Sequence, residues 1–385
     1  MNIMVPYLNN KYDDANHIPY ARPSITKKEI SYVNDAIRNG WGSNRNYYIE
    51  EFEKSFTNKI DINYGVPTSS CTGALHLGLT ALGVGAGDEV IVPESTWIAS
   101  VAPIVHLGAK PIFVDILKES WCINPSLVES AITSKTKAIL CVHLYGNLCE
   151  LNQLMNISTK YNIPLIEDSA EAYGSYYLNK HAGTFGTFGV FSFHGTKTIS
   201  TGEGGILVTN NEEIFKKVKI LNEHGLDRQS DKQYFPSRLG YKFKMTNIQA
   251  AMGLAQVERS KEILEKKIEI MKFYKNYFSD YKSISFNQEN IGNKNSYWLP
   301  TAVFQDQKNF CISSLIKDFQ LENIDARSFF WPLSSLSFFE SNTKNNISWN
   351  IPKRAVNLPS FHDITEEQLL KVCKILENKV REIEV

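Results

Sequence analysis

Four short, continuous apolar runs, at residues 89–93, 110–114, 138–142 and 164–167, alternate with helical stretches near 98–106, 126–133 and 151–160. A strand that is apolar along its whole length leaves no face for water, so both faces of its sheet must be covered, and the intervening helices supply the cover. This pattern restricts the chain to an α/β fold with a mostly parallel sheet between helices. Ligands of such sheets bind beyond the carboxyl ends of the strands. The residues just after each run therefore matter most: Ser95-Thr96-Trp97, Asp115, His143-Leu144-Tyr145-Gly146 and Asp168-Ser169-Ala170-Glu171.

One lysine, Lys197, lies in a turn between two further apolar runs, 190–193 and 206–209, beside the small residues 201–205. An ammonium pressed against apolar surroundings loses hydration, which favours the neutral, nucleophilic amine. The same residues also suit a surface lysine in a polar loop. A short strand at 64–68 leads into Ser69-Ser70-Cys71-Thr72-Gly73 and an apolar helix. Small polar residues at a helix start present free N–H groups and a positive helix end to an anion such as a phosphate, and they equally suit a plain N-cap.

With 385 residues the chain is long enough for two domains. One long helical pattern at 245–274 marks their junction, which gives a large domain at 1–255 and a smaller C-terminal α+β domain at 256–385. Lys plus Arg and Asp plus Glu are both 41, a balance that calls for neither nucleic acid nor an anionic membrane. The six cysteines form no C-x-x-C pair and no cluster with histidine, so the expectation is no metal site, no disulfide framework and a reducing compartment. Without a signal-like N-terminus or a run of eighteen apolar residues, the expected location is the cytoplasm.

A lysine in a turn, an aspartate at a strand end and an anion site at a helix start are the parts needed to hold pyridoxal 5'-phosphate: a Schiff base to the aldehyde, a carboxylate on the ring nitrogen, a cradle for the phosphate. Trp97, after the second run, is placed to cover the ring. Three segments carry a resemblance to a known family: 166–172 (IEDSAEA), 191–205 (FSFHGTKTISTGEGG) and 240–251 (GYKFKMTNIQAA). In that order they resemble the sugar aminotransferases, fold type I pyridoxal phosphate enzymes, across nearly the whole chain. The resemblance implies Lys197 as the Schiff-base lysine and proton carrier and Asp168 as the partner of the ring nitrogen. Ser70, Cys71, Thr72 and Ser192 would bind the phosphate, Trp97 would stack on the ring, and Glu171 and His194 would lie near the cofactor.

Several positions depart from the family pattern. Cys71 stands where many members have glycine, Tyr173 where histidine is frequent, and Ser328 where proline is common. An asparagine that in many relatives crosses to the partner subunit's phosphate is replaced by lysine at both possible positions, Lys242 and Lys244, and Lys242 is taken as the cofactor contact. Arg327, Trp41 and His143 are the expected substrate contacts, with a structural ion pair as the other reading of Arg327.

The resemblance implies transfer of an amino group from an amino acid, L-glutamate, to the keto group of a nucleotide-linked sugar for surface polysaccharide, in a homodimer with shared sites. The perosamine synthases of the family share the Lys-Thr-Ile and Thr-Gly-Glu-Gly-Gly pattern. The alternatives are a small phosphorylated ketone as acceptor, a sugar dehydratase, or a silent binding protein of the same fold. Lys197 counts against the dehydratase branch that carries histidine there. The intact set of Asp168, Ser192 and Lys197 counts against a silent relative.

Overall fold

A computed structural model describes residues 16–227, 232–305 and 310–384. Residues 1–15, 228–231, 306–309 and 385 lie outside the described residues.

The main sheet has seven strands: β1 (Tyr64–Thr68), β2 (Glu89–Pro93), β3 (Lys110–Val114), β4 (Thr136–Val142), β5 (Leu165–Asp168), β6 (Phe188–Ser192) and β7 (Gly205–Thr209). Their spatial order is β1-β7-β6-β5-β4-β2-β3. Strands β2 to β6 pair in parallel, whereas β7 runs antiparallel to both β6 and β1. The sheet is thus mostly parallel, with its single reversal at the hairpin that carries Lys197. Alternate residues of one strand enter different cores: Val90 and Val92 pack with Leu75 and Leu140, while Ile91 packs with Ile139 and Leu165 on the other face. Two-sided burial of this kind is what continuous apolar strands require.

Strands β2 and β3 match the apolar runs residue for residue, and β4 and β5 differ by one or two positions. The stretch at 98–106 is less regular than its pattern suggests. It forms a single turn at Ile98–Ser100 and a short helix at Ala102–His106.

The long helical pattern at 245–274 resolves into two helices, Asn247–Glu258 and Ser260–Tyr277, parted at Arg259 (φ −94°, ψ −1°). The first starts two residues later than its apolar pattern because Thr246 and Gln249 form a capping box. At this point the guanidinium of Arg259 donates to Glu29 Oε1 at 2.5 Å and to the Ser24 carbonyl and hydroxyl at 3.1 and 2.9 Å. Beyond it, short strands at Ile284–Ser285, Thr301–Phe304, Arg327–Ser328 and Ala355–Asn357 form an antiparallel sheet. Its core joins Ile270, Tyr274, Phe304, Phe319, Leu376 and, from near the N-terminus, Ile18.

Candidate active site

The carboxyl ends of β4, β5 and β6 and the hairpin after β6 bring the expected groups together. In the hairpin the Lys197 amide donates to the His194 carbonyl at 2.9 Å, which closes a tight turn and aims the side chain inward. The Lys197 side chain is 13% exposed, and its ammonium lies 3.0 Å from Glu171 Oε1. It also rests over the Trp298 ring, 3.5 Å from the centroid, a cation–π contact. Glu171 uses its second oxygen to accept the Tyr145 amide at 2.8 Å. Burial pushes Glu171 up from its ordinary range, and Lys197 and the Tyr145 amide only partly counter this.

Asp168 ends β5 and is buried. Its Oδ2 accepts from the Ser100 hydroxyl at 2.7 Å and its Oδ1 from the Ala170 amide at 3.1 Å. Burial raises its pKa; the Ser100 and Ala170 hydrogen bonds and the Lys197 charge oppose the rise without cancelling it. A carboxylate in this state gains from a cationic partner, and the protonated ring nitrogen of pyridoxal phosphate is one.

Helix Cys71–Ala81 begins beside this cluster. Ser70 caps it by accepting the Gly73 amide at 3.0 Å. Desolvation pushes the Cys71 thiol well up, with Asp168 adding to the rise, Lys197 opposing it and Glu171 adding further, as expected for a thiol facing the same space. Gly205, the first residue of β7, lies so close that a Cβ there would collide with the Cys71 backbone. Glycine at 205 is therefore what lets the helix start approach the lysine hairpin. Among the described residues no acceptor meets the amides of Cys71 and Thr72. Free amides at a helix start, a desolvated carboxylate and a lysine close by fit pyridoxal phosphate as a set.

Other expected residues are arranged less simply. Trp97 is 59% exposed and tilted against Phe330 at 5.8 Å, so one face is free to cover a ring. Ser192 accepts the His194 amide at 3.3 Å. His194 turns outward, half-exposed, with Nδ1 2.9 Å from the Thr196 hydroxyl. Lys244 donates to Asn46 and Glu223 at 3.0 and 2.9 Å, whereas Lys242 is exposed and its ammonium has no ion-pair partner among the described residues.

The substrate expectations fare differently. Trp41 is exposed at a helix end, where its indole donates to the Ile37 carbonyl at 2.7 Å. Arg327 pairs with Asp325 at 2.8 Å and lies over the Tyr20 ring. His143 requires correction. Its side chain is wholly buried, Nδ1 accepts the Cys149 amide at 3.2 Å, and Nε2 faces Glu167 at 3.1 Å. With both nitrogens occupied inside the protein, His143 braces β5 and meets no substrate.

Two neighbours of the cluster escape sequence reasoning: Ser100, which fixes Asp168, and Trp298, which floors Lys197. Ser100 follows the flagged Ser95-Thr96-Trp97 by a few residues, which was the available signal. Trp298 comes from the far part of the chain and had none.

The family model of the DegT/DnrJ/EryC1/StrS aminotransferases matches residues 23–377. The chain belongs to this family. As a DegT/DnrJ/EryC1/StrS member it is a pyridoxal phosphate-dependent transaminase. It is 39% identical over 359 residues to the GDP-perosamine synthase of Escherichia coli O157:H7, which covers 93% of this chain and 97% of that one. The GDP-perosamine synthase of Vibrio cholerae is 36% identical, over 94% of this chain and 98% of its own. Among solved structures, Spr1654 of Streptococcus pneumoniae in its PMP form superposes with a TM-score of 0.87 at 28% identity, covering 96% and 99% of the two chains. Such coverage extends the likeness to the C-terminal sheet as well as the lysine hairpin.

Proposed function

We propose that this aminotransferase moves an amino group from L-glutamate to the keto group of a nucleotide-linked sugar destined for surface polysaccharide, with Lys197 as the residue that bonds the cofactor. The observation that carries the acceptor is the likeness, over 93% of the chain, to a protein named GDP-perosamine synthase. Pyridoxal phosphate, when bound, supplies an electron sink beside the carbon that gains or loses the amino group. In this reading the chain's own groups do the rest. Asp168 would keep a proton on the ring nitrogen, Trp97 would cover the ring, and the Cys71 and Thr72 amides with Ser192 would hold the phosphate. Lys197 Nζ, once free, moves the proton at the substrate carbon. Glu171, 3.0 Å away, receives the amine whenever it is charged.

The reading extends to a homodimer in which Lys242 of each copy reaches the other copy's phosphate. The Lys242 ammonium, without an ion-pair partner among the described residues, supports that choice over Lys244. It also extends to the cytoplasm, which six free cysteines suit. We keep the division at 1–255 and 256–385, supported by a cluster of C-terminal residues that only Ile18 joins from the large domain. A panel of keto acceptors with glutamate as donor, followed by 2-oxoglutarate release, tests the function. Turnover with a nucleotide-linked 4-keto-6-deoxy sugar is expected. Turnover confined to a small phosphorylated ketone such as dihydroxyacetone phosphate would overturn the acceptor and leave the catalytic reading intact.

A further inference from the structure

Helix Ser260–Tyr277 carries two successive lysines with opposite surroundings. Lys266 pairs with Glu269 at 2.8 Å. Lys267 is buried, and among the described residues no carboxylate pairs with it. Its ammonium donates instead to the Trp298 carbonyl at 3.1 Å, the Ser360 carbonyl at 2.5 Å and the Ser360 hydroxyl at 3.1 Å. Burial pushes its pKa down to about 7. Removing a charge from water is costly, and methionine would fill the same space without that cost, so packing alone does not account for a lysine here.

The place of its acceptors does. Trp298 is the residue whose ring lies 3.5 Å from Lys197 Nζ, and its indole N–H donates to the Thr196 carbonyl at 2.7 Å, one residue before that lysine. The ring is therefore tied at both ends: its backbone to Lys267, its edge to the lysine hairpin. Lys197 and Lys267 also line one cleft, together with Arg22, Thr198 and His362.

We propose that Lys267 is a positioning residue for Lys197: its ammonium clamps the Trp298 and Ser360 carbonyls, and the Trp298 ring so fixed is the floor on which the Lys197 ammonium rests. The consequence rests on the reading of Lys197 as the cofactor lysine. Between bonding events its amine is held against one aromatic face and one carboxylate, Glu171, and does not swing freely. The titratable and charged groups around it are Glu171 and Asp168 on one side and Arg22, Lys266, Lys267 and His362 across the cleft.

The test is pulse acetylation of the full-length chain stripped of cofactor, with the Lys197 peptide quantified by mass spectrometry against exposed Lys160 as internal reference. Loss of a cation–π contact at a desolvated amine frees it for reaction, so Lys267→Met should raise Lys197 labelling about three- to tenfold. Lys267→Arg, which keeps charge and donors, should stay near the parent. Trp298→Leu should match Lys267→Met, and the double variant should go no further than either, because both break one chain of contacts. Unchanged labelling in a folded Lys267→Met protein, an equal rise in Lys267→Arg, or additive effects would each overturn the proposal. Trp298→Leu leaves Lys267 in place, so unchanged labelling there overturns it even if Lys267→Met does not fold. Because no cofactor is present, this result can fail while the cofactor reading stands. Borohydride trapping of the cofactor on another lysine would sink that reading without touching this one.

Discussion

Glu167 and Asp168 are adjacent, both buried and both carboxylates, yet the structure treats them in opposite ways. Glu167 accepts four hydrogen bonds, from the amides of Phe185 and Gly186 at 2.6 and 2.7 Å, the Gly183 amide at 2.8 Å and His143 at 3.1 Å. Asp168 accepts two. Burial alone would raise both pKa values. At Glu167 His143 and the amides of Gly186 and Gly183 outweigh burial, and the value falls; at Asp168 burial prevails, and it rises. A saturated buried carboxylate holds structure together, whereas one with spare acceptor capacity is waiting for a partner. Strand alternation explains the split, since successive side chains of β5 point to opposite faces.

The contrast predicts a crossover between activity and stability. Asp168→Asn should lower kcat by about two to three orders of magnitude, the usual cost of removing a charge that acts only on the reacting system. Its cofactor-free melting temperature at neutral pH should be no lower than the parent's, because a destabilising buried charge is gone. Glu167→Gln should do the reverse. It should cost about 2–4 kcal/mol of stability, since the amide cannot accept all four donors, while kcat per folded molecule stays within a few-fold. Calorimetry beside steady-state assays checks both. A large loss of kcat in folded Glu167→Gln protein would break the distinction.

The pH dependence sharpens it. Glu167 is depressed in the folded state, so its contribution is present above the unfolded carboxylate range and is lost as pH falls through the folded value. Asp168 is raised, so its ionisation penalises folding at neutral pH and the penalty is relieved as pH falls. The stability gap between parent and Glu167→Gln should therefore narrow on acidification below about pH 4.3, the ordinary glutamate value. The gap between Asp168→Asn and the parent should narrow from the other side, starting at higher pH. Denaturant titrations across this range read both, and parallel curves would contradict the assignment.

Lys244 and Lys242 repeat the contrast on a smaller scale. Lys244 is tied to Asn46 and Glu223 inside the chain, and Lys242 has no ion-pair partner among the described residues. Lys242→Ala should weaken cofactor binding about five- to tenfold with little change in melting, as expected for one charge-assisted contact. Lys244→Ala should lower the melting temperature and leave cofactor affinity nearly unchanged. Equal effects on affinity would remove Lys242 from the site.

These pairs also show what the sequence could reveal. Continuous apolar strands and the Lys197 turn were legible because burial on both faces and a tight turn leave a mark in consecutive residues. The partners of those groups were not. Trp298 reaches Lys197 only through folding, Lys267 stands in a Lys-Lys pair that looks like a solvated helix face, and the Ala355–Asn357 strand is too short to show a period. The break at Arg259 carries no glycine or proline to mark it, and the Ser24 and Glu29 contacts of its guanidinium come from far earlier in the chain. His143 misled for a related reason. Its strand-end position suggested chemistry, but the acceptor it serves is Glu167, on the opposite face from Asp168.

The central claim is that Lys197 bonds the cofactor. Reduction of the yellow holoenzyme with borohydride, digestion and mass spectrometry test it directly. The account predicts the reduced cofactor on the peptide containing Lys197, and none on Lys267, the buried lysine lining the same cleft; a cofactor mass found on Lys267 or any other lysine, with Lys197 unmodified, would contradict it.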